Sequence, residues 1–262
     1  MEPYIRNIVI ACPDGTWSDS DNRWEGPQRE LALFYAELLG MQIIREDWLK
    51  VAKDESSFPQ LAIGDGPTRD YRPPRWGDPE RPQQLHLEFP VRDLEAAEEL
   101  VLGLGGTKLE DKGDYRTYAD PVGHPFCFYV DDVDGSEVGR PLSGRIGRVV
   151  FDCFSPRALA AFWGELLVMP TCVEDSPKRV VIARENGHLP MLGFQHAVFP
   201  APRWPDSSCP QQIHMDLHFE DGKAGRELAE RLGAIRLPDM GGSCPVYADP
   251  SAHPFCLCQS GQ

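Results

Sequence analysis

The run IHMDLHFE, residues 213 to 220, sets His214, Asp216, His218 and Glu220 at alternate positions, and LHLEF, residues 85 to 89, does the same with His86 and Glu88. Alternate residues of a β-strand share a face. Each run therefore predicts a polar stripe backed by an apolar one, Leu85, Leu87 and Phe89 behind the first and Ile213, Met215, Leu217 and Phe219 behind the second. The same alternation puts Arg148 and Asp152 on one face of RVVFDC, and Cys256 and Cys258 on one face of PFCLCQ. Three chemistries suit such stripes. The groups can be hydrogen-bonded pairs in a solvated groove. They can orient a polar ligand in an aromatic-walled cavity. They can also perform acid–base catalysis or hold a metal through an unconventional set such as His214, His218 and Cys256, because imidazole titrates near neutrality and also ligates metals. The residues alone leave all three open. No serine sits in an elbow-like motif and the glycines of Val101 to Gly106 lack phosphate-loop spacing, so neither a nucleophilic triad nor a nucleotide site is indicated.

The elements that position these stripes repeat. PRWGDPERPQQLH (74 to 86) recurs as PRWPDSSCPQQIH (202 to 214), YADPVGHPFCF (118 to 128) as YADPSAHPFCL (247 to 257), and LALFYAELLGM (31 to 41) as LAAFWGELLVM (159 to 169). Three blocks in one register predict a duplication, with domains over 1–135 and 145–262 joined by a polar, glycine-containing linker near 131–144. Within each half the pattern runs twice from an apolar strand into an amphipathic helix and on to further strands. Helices are predicted near 28–40, after Asp93, after Ser155 and Pro156, and near 222–233. The unit is a βαβββ module, present four times, and the class is α+β.

The phrases HLEFPVRDLEAA (86 to 97) and SPRALAAFWGELL (155 to 167), with the D-P-x-G-x-P-F phrase at Asp120 and a looser copy at Asp249, resemble the vicinal oxygen chelate superfamily. That superfamily includes glyoxalase I, bleomycin-resistance proteins and extradiol dioxygenases, and the resemblance is strongest to its glyoxalase-like branch. It implies two tandem half-open barrels with one ligand cleft per domain, and a second cleft gathering Arg148, Asp152, His214, Asp216, His218 and the thiols of Cys256 and Cys258. It also implies a divalent metal held by residues of the cleft strands. His86 and His214 match the family's histidine, seven residues before Asp93 and Asp221. The other places do not match: Asn7 and Arg148 stand on the first strands, and Cys127 and Cys256 stand where a closing Glu is usual. A guanidinium repels a cation instead of ligating it. No standard metal and no cofactor are therefore expected, and the candidate ligand-binding residues are His86, Glu88, Cys127, Arg148, Asp152, His214, Asp216, His218 and Cys256.

Duplicated phrases favour shared structural roles for Trp76, Trp204, His124 and His253. The unduplicated insert at 15–27, with Trp17 and Trp24, is expected as a surface loop or a lid over the first cleft.

With 41 acidic against 26 basic residues, a net charge of -15, the chain is not built for nucleic acid or anionic lipid. Its apolar runs are too short for a bilayer span of roughly 20 residues. The N-terminal stretch lacks a secretory pattern and Cys12, Cys127, Cys153 and Cys256 fall in apolar runs, so a reducing cytoplasm is expected. A monomer and a homodimer both fit. Function is expected to be binding of a small organic molecule, the alternative being a metal- or His/carboxylate-dependent lyase, isomerase or dioxygenase-type enzyme.

Overall fold

The structure, a computed structural model, describes every residue except 1, 65–70, 132–141, 143, 199–202, 204–210, 239–241, 243 and 261–262. The expected linker and Trp204 thus lie largely or wholly outside the described residues.

Four modules follow one another. The first comprises β1 (Tyr4–Ile10), the hairpin β2 (Thr16–Ser18) and β3 (Arg23–Glu25), α1 (Pro27–Leu39), β4 (Gln42–Arg45), β5 (Lys50–Ala52) and β6 (Gln60–Ile63). The second comprises β7 (Leu85–Val91), α2 (Leu94–Gly103), β8 (Thr107–Asp111), β9 (Tyr115–Ala119) and β10 (Pro125–Val130). The third holds β11 (Arg148–Cys153), α3 (Pro156–Leu166), β12 (Thr171–Asp175), β13 (Arg179–Ala183) and β14 (Met191–His196). The fourth holds β15 (Ile213–Phe219), α4 (Gly222–Arg231), β16 (Ile235–Arg236), β17 (Val246–Ala248) and β18 (Pro254–Gln259). This is the α+β architecture of four βαβββ units read from the sequence. Helix starts follow local chemistry. Pro27 and Pro156 open α1 and α3 at positions that need no N–H partner. Asp93 accepts the Ala96 N–H at 3.0 Å, and Asp221 accepts the N–H groups of Lys223 and Ala224. Gly40 ends α1 in the left-handed region at φ 63.

The modules do not pair as the sequence halves suggest. One eight-stranded sheet runs β16-β17-β18-β15-β1-β6-β5-β4 and joins modules one and four; the other runs β12-β13-β14-β11-β7-β10-β9-β8 and joins modules two and three. The seams are antiparallel, β1 on β15 and β11 on β7. Both sheets are open, so each forms a half-open barrel, and each takes one module from each half.

The helices hold each half together across the sheets. Tyr35 of α1 donates to Asp120 at the β9–β10 turn (2.9 Å), and Trp163 of α3 donates to Asp249 at the β17–β18 turn (3.1 Å). Phe34 meets Phe126, and Trp163 meets both Phe151 and Phe255. One buried apolar cluster consequently runs through the outer faces of both sheets, including Leu85, Leu87, Phe89, Ile213, Met215 and Leu217. His124 and His253 are buried turn residues whose N–H groups bind Asp120 and Asp249, each at 2.9 Å.

The insert at 15–27 is ordered as the β2–β3 hairpin, with Trp17 edge-on to Trp24 and the Trp24 indole bonded to the Asp47 carbonyl at 3.1 Å. Trp76 is half-buried in a turn. No helix among the described residues is long and apolar enough to cross a membrane.

Candidate functional site

The β7–β11 seam places Glu88 directly opposite Arg148, and β10 places Cys127 on the other side of the same carboxylate. Glu88 is 2 % exposed. Arg148 donates to Oε2 at 2.8 Å, and Arg179 of β13 donates to both carboxylate oxygens at 2.9 and 3.0 Å. His86 Nε2 lies 3.6 Å from Oε1. Burial would raise the Glu88 pKa, but His86 and the two guanidinium groups hold it well below the usual carboxylate range. For His86 burial favours the neutral ring, yet the neighbouring Cys127 and Glu88 outweigh it and the pKa rises to about 10. Arg148 also lies over the Tyr129 ring at 3.9 Å. Asp152 sits farther along the same face of β11 and accepts from Gln195 (2.6 Å) and Gln83 (3.3 Å), with burial pushing its pKa up.

The β1–β15 seam builds the second cleft from Asn7 opposite Asp216, with Cys256 on the far side. Asn7 donates to Asp216 Oδ2 at 2.8 Å and accepts from Lys50 Nζ of β5 at 3.0 Å. His214 Nε2 lies 3.6 Å from Asp216 Oδ1, and the Cys256 thiol also hydrogen-bonds this carboxylate. Burial opposes ionisation of Asp216, but these hydrogen bonds and the His214 charge keep its pKa low. Lys50 is pulled down to about 8, first by burial and then by Arg6 and Arg45. His218 stacks obliquely on Tyr4, and burial together with Arg6 favours its neutral form.

The nine candidates thus fall into two groups. His86, Glu88, Cys127, Arg148 and Asp152 share one sheet face, while His214, Asp216, His218 and Cys256 share the other. Arg148 and Asp152 were expected beside His214, because the halves were taken to close on themselves; the cross-half seam puts them beside His86 instead. Cys258, expected as a second thiol next to Cys256, is disulfide-bonded to Cys244. Arg179 and Lys50 escaped the sequence reading. Each comes from the third strand of its βαβββ unit, the β2–β3 insert set aside, and no motif surrounds it.

A divalent metal of the kind implied by the resemblance does not fit the β7–β11 cleft. Glu88 has both oxygens on guanidinium groups, and Arg148 occupies the place of a first-strand ligand. The β1–β15 cleft offers more, since His214, Asp216 and Cys256 bring one donor atom each within 4.8 Å of one another. A nitrogen, an oxygen and a sulfur at such spacing suit a borderline-soft ion such as zinc. A cavity of about 680 Å³ adjoins the β1–β15 cleft at Tyr4 and Arg6 and is lined by Phe58, Met169, His188 and Pro190 among others. Its walls are mainly apolar and its Glu2 and Arg184 pair with each other, so the convergent chemistry lies in the two clefts.

Paired βαβββ modules around open, inward-facing polar stripes define a half-open-barrel class of protein. The glyoxalase-like domain model matches residues 26–129 and 148–258, and the chain belongs to that family. Among solved structures it is similar to glyoxalase I from Zea mays, with a TM-score of 0.60 and 13% identity over 97% of this chain and 91% of that one. It is also similar to a candidate dioxygenase from Bacillus subtilis, with a TM-score of 0.60 and 15% identity over 98% of this chain and 85% of that one. No curated protein matches the chain by sequence. At these identities the likeness is one of fold, and the chemistry has to be argued from the clefts.

Proposed function

We propose that the chain binds a small organic molecule in its barrel clefts without a standard divalent metal site. The observation that carries this reading is the double guanidinium clamp on Glu88. A carboxylate whose two oxygens already neutralise Arg148 and Arg179 would have to surrender charge-assisted hydrogen bonds to coordinate a metal, and the freed guanidinium groups would repel the incoming ion. The β1–β15 cleft follows the same plan in weaker form, since Lys50 faces the Asp216 carboxylate through the Asn7 amide. Shape, hydrogen bonding and fixed charge are then the means of recognition.

A second reading has its own observation, the His214, Asp216 and Cys256 donor set, which favours an atypical metal in the β1–β15 cleft and with it lyase, isomerase or dioxygenase-type chemistry. Cobalt titration separates the two. Expected under the first reading is no cobalt–thiolate charge-transfer band and no stoichiometric metal by elemental analysis. A band at one equivalent that disappears in Cys256→Ser would replace metal-free binding in that cleft by the second reading.

A further inference from the structure

We infer that the β7–β11 cleft takes an organic anion, a carboxylate or a group of like charge and shape, carried on an apolar or aromatic body. This deepens the metal-free binding reading and rests on it. Four observations converge. The floor of the cleft holds more positive than negative groups, because two guanidinium groups serve the single carboxylate of Glu88. The other acid near them, Glu174, lies 3.5 Å from Arg179 on the rim with its side chain 47% exposed, where water screens it. Asp152, farther along the same face, accepts from Gln83 and Gln195, and burial raises its pKa and so disfavours its charged form. A surplus of fixed positive charge in a chain of net charge -15 is local and specific.

Hydrogen-bond donors there also exceed acceptors. Arg148 Nε, His86 Nδ1 and the Tyr129 hydroxyl are buried without a hydrogen-bond partner among the described residues. His86 is 1% exposed, so a donor or acceptor left idle on its ring is costly unless a ligand completes it. The guanidinium groups themselves remain reachable, with side chains 21% and 25% exposed for Arg148 and Arg179. Planar forks of this kind match a carboxylate in two parallel hydrogen bonds.

The walls supply the remainder of the ligand. Val181 and Ala183 alternate with Arg179 along β13, and Met191 is the cross-strand partner of Arg148; with Leu189 they form a small apolar cluster separate from the main core. Tyr129 and Tyr115 pair across β10 and β9 on the opposite side. An aromatic platform facing an aliphatic one, with cationic forks between them, suits a flat apolar body bearing one negative group. In the β1–β15 cleft the cations are placed differently, Lys50 bonded to Asn7 and over the Trp48 ring and Arg6 over the Phe58 ring.

The probes are naphthalene-2-carboxylate and its uncharged counterpart naphthalene-2-carboxamide, titrated calorimetrically and by amide chemical-shift mapping on the full chain. The carboxylate should bind at least tenfold more tightly than the carboxamide, with shifts centred on Arg148, Arg179 and Met191. Arg179→Met should remove that preference while leaving carboxamide affinity within twofold. Arg179→Lys, which keeps the charge and the fold of the strand but not the fork, should lose part of it. Arg157→Met, which removes an exposed guanidinium on α3 paired with Asp175, should change neither affinity. Equal affinities with shifts in this cleft would overturn the anion inference and leave small-molecule binding standing. Shifts from neither probe would overturn both for this cleft.

Discussion

His86, buried between Glu88 and Cys127, ties its ionisation to stability. Its folded pKa of about 10 lies above the ordinary imidazole value near ~6.5, so the folded state binds this proton more tightly than the unfolded chain does. The stabilisation is fully present below about pH 6.5 and is lost as pH rises through about 10. Lys50 acts in the opposite direction, because its pKa of about 8 lies below that of an ordinary lysine and its ionised form is disfavoured in the folded chain. A raw stability profile mixes the two. Comparing the wild type with His86→Asn isolates the first: the stability difference between them should fall by at least ~2 kcal/mol, some ~5 °C in melting temperature, between pH 6.5 and 10. A constant difference across that range would show the ring neutral throughout. At this scale the sequence was legible for side chains that alternate along a recognisable strand, as with His86 and Glu88. It was not legible for Arg179, which opens the apolar strand RVVIA with no motif beside it. Only the neighbouring strands reveal that its fork reaches Glu88.

Among the elements, α4 rests on its sheet at Gly225. A Cβ built there would lie 2.6 Å from Cγ of Phe219 on β15, so the glycine lets the helix backbone rest against the ring. Intrinsic propensity favours Gly225→Ala by ~1 kcal/mol. The overlap with a rigid ring outweighs this, since overpacking costs roughly 1–3 kcal/mol and the obstacle is not the end of a flexible chain. The variant should unfold at lower urea, with the same m-value, and should shift the amide resonance of His218, the residue next to Phe219. A gain in stability would mean that the helix can slide without disturbing the strand. Helix starts were readable because capping and proline are local chemistry, as Asp93, Asp221, Pro27 and Pro156 show. Strand faces were readable because β7 and β15 alternate. The Cys244–Cys258 disulfide was not, because it depends on the β17–β18 register, which sets Val246 opposite Cys256 and which the residues of CPVYADP do not declare by themselves.

At the scale of the whole chain, the duplication and the assembly divide the molecule differently. The repeat blocks cut it into two equal halves, while the sheets join module one to four and two to three. A period of two fixes which face of a strand is buried and is silent about its neighbour, so β1 and β11 read the same whether they pair within a half or across halves. The consequence is testable with residues 1–135 and 145–262 produced separately. The first fragment would lose β15 from β1 and β11 from β7, exposing the edges of two central, almost fully buried strands. It would also keep Glu88 while losing Arg148 and Arg179, and an uncompensated buried charge costs ~3–5 kcal/mol. Neither fragment should therefore melt cooperatively as a monomer. Mixed in equal amounts they should recover a one-to-one complex, seen by light scattering, with a single melting transition and the naphthalene-2-carboxylate site restored. Two independently folded monomers would mean that modules one and two can close on each other, as can three and four, and that the cross-half seam is one of two arrangements the chain can adopt.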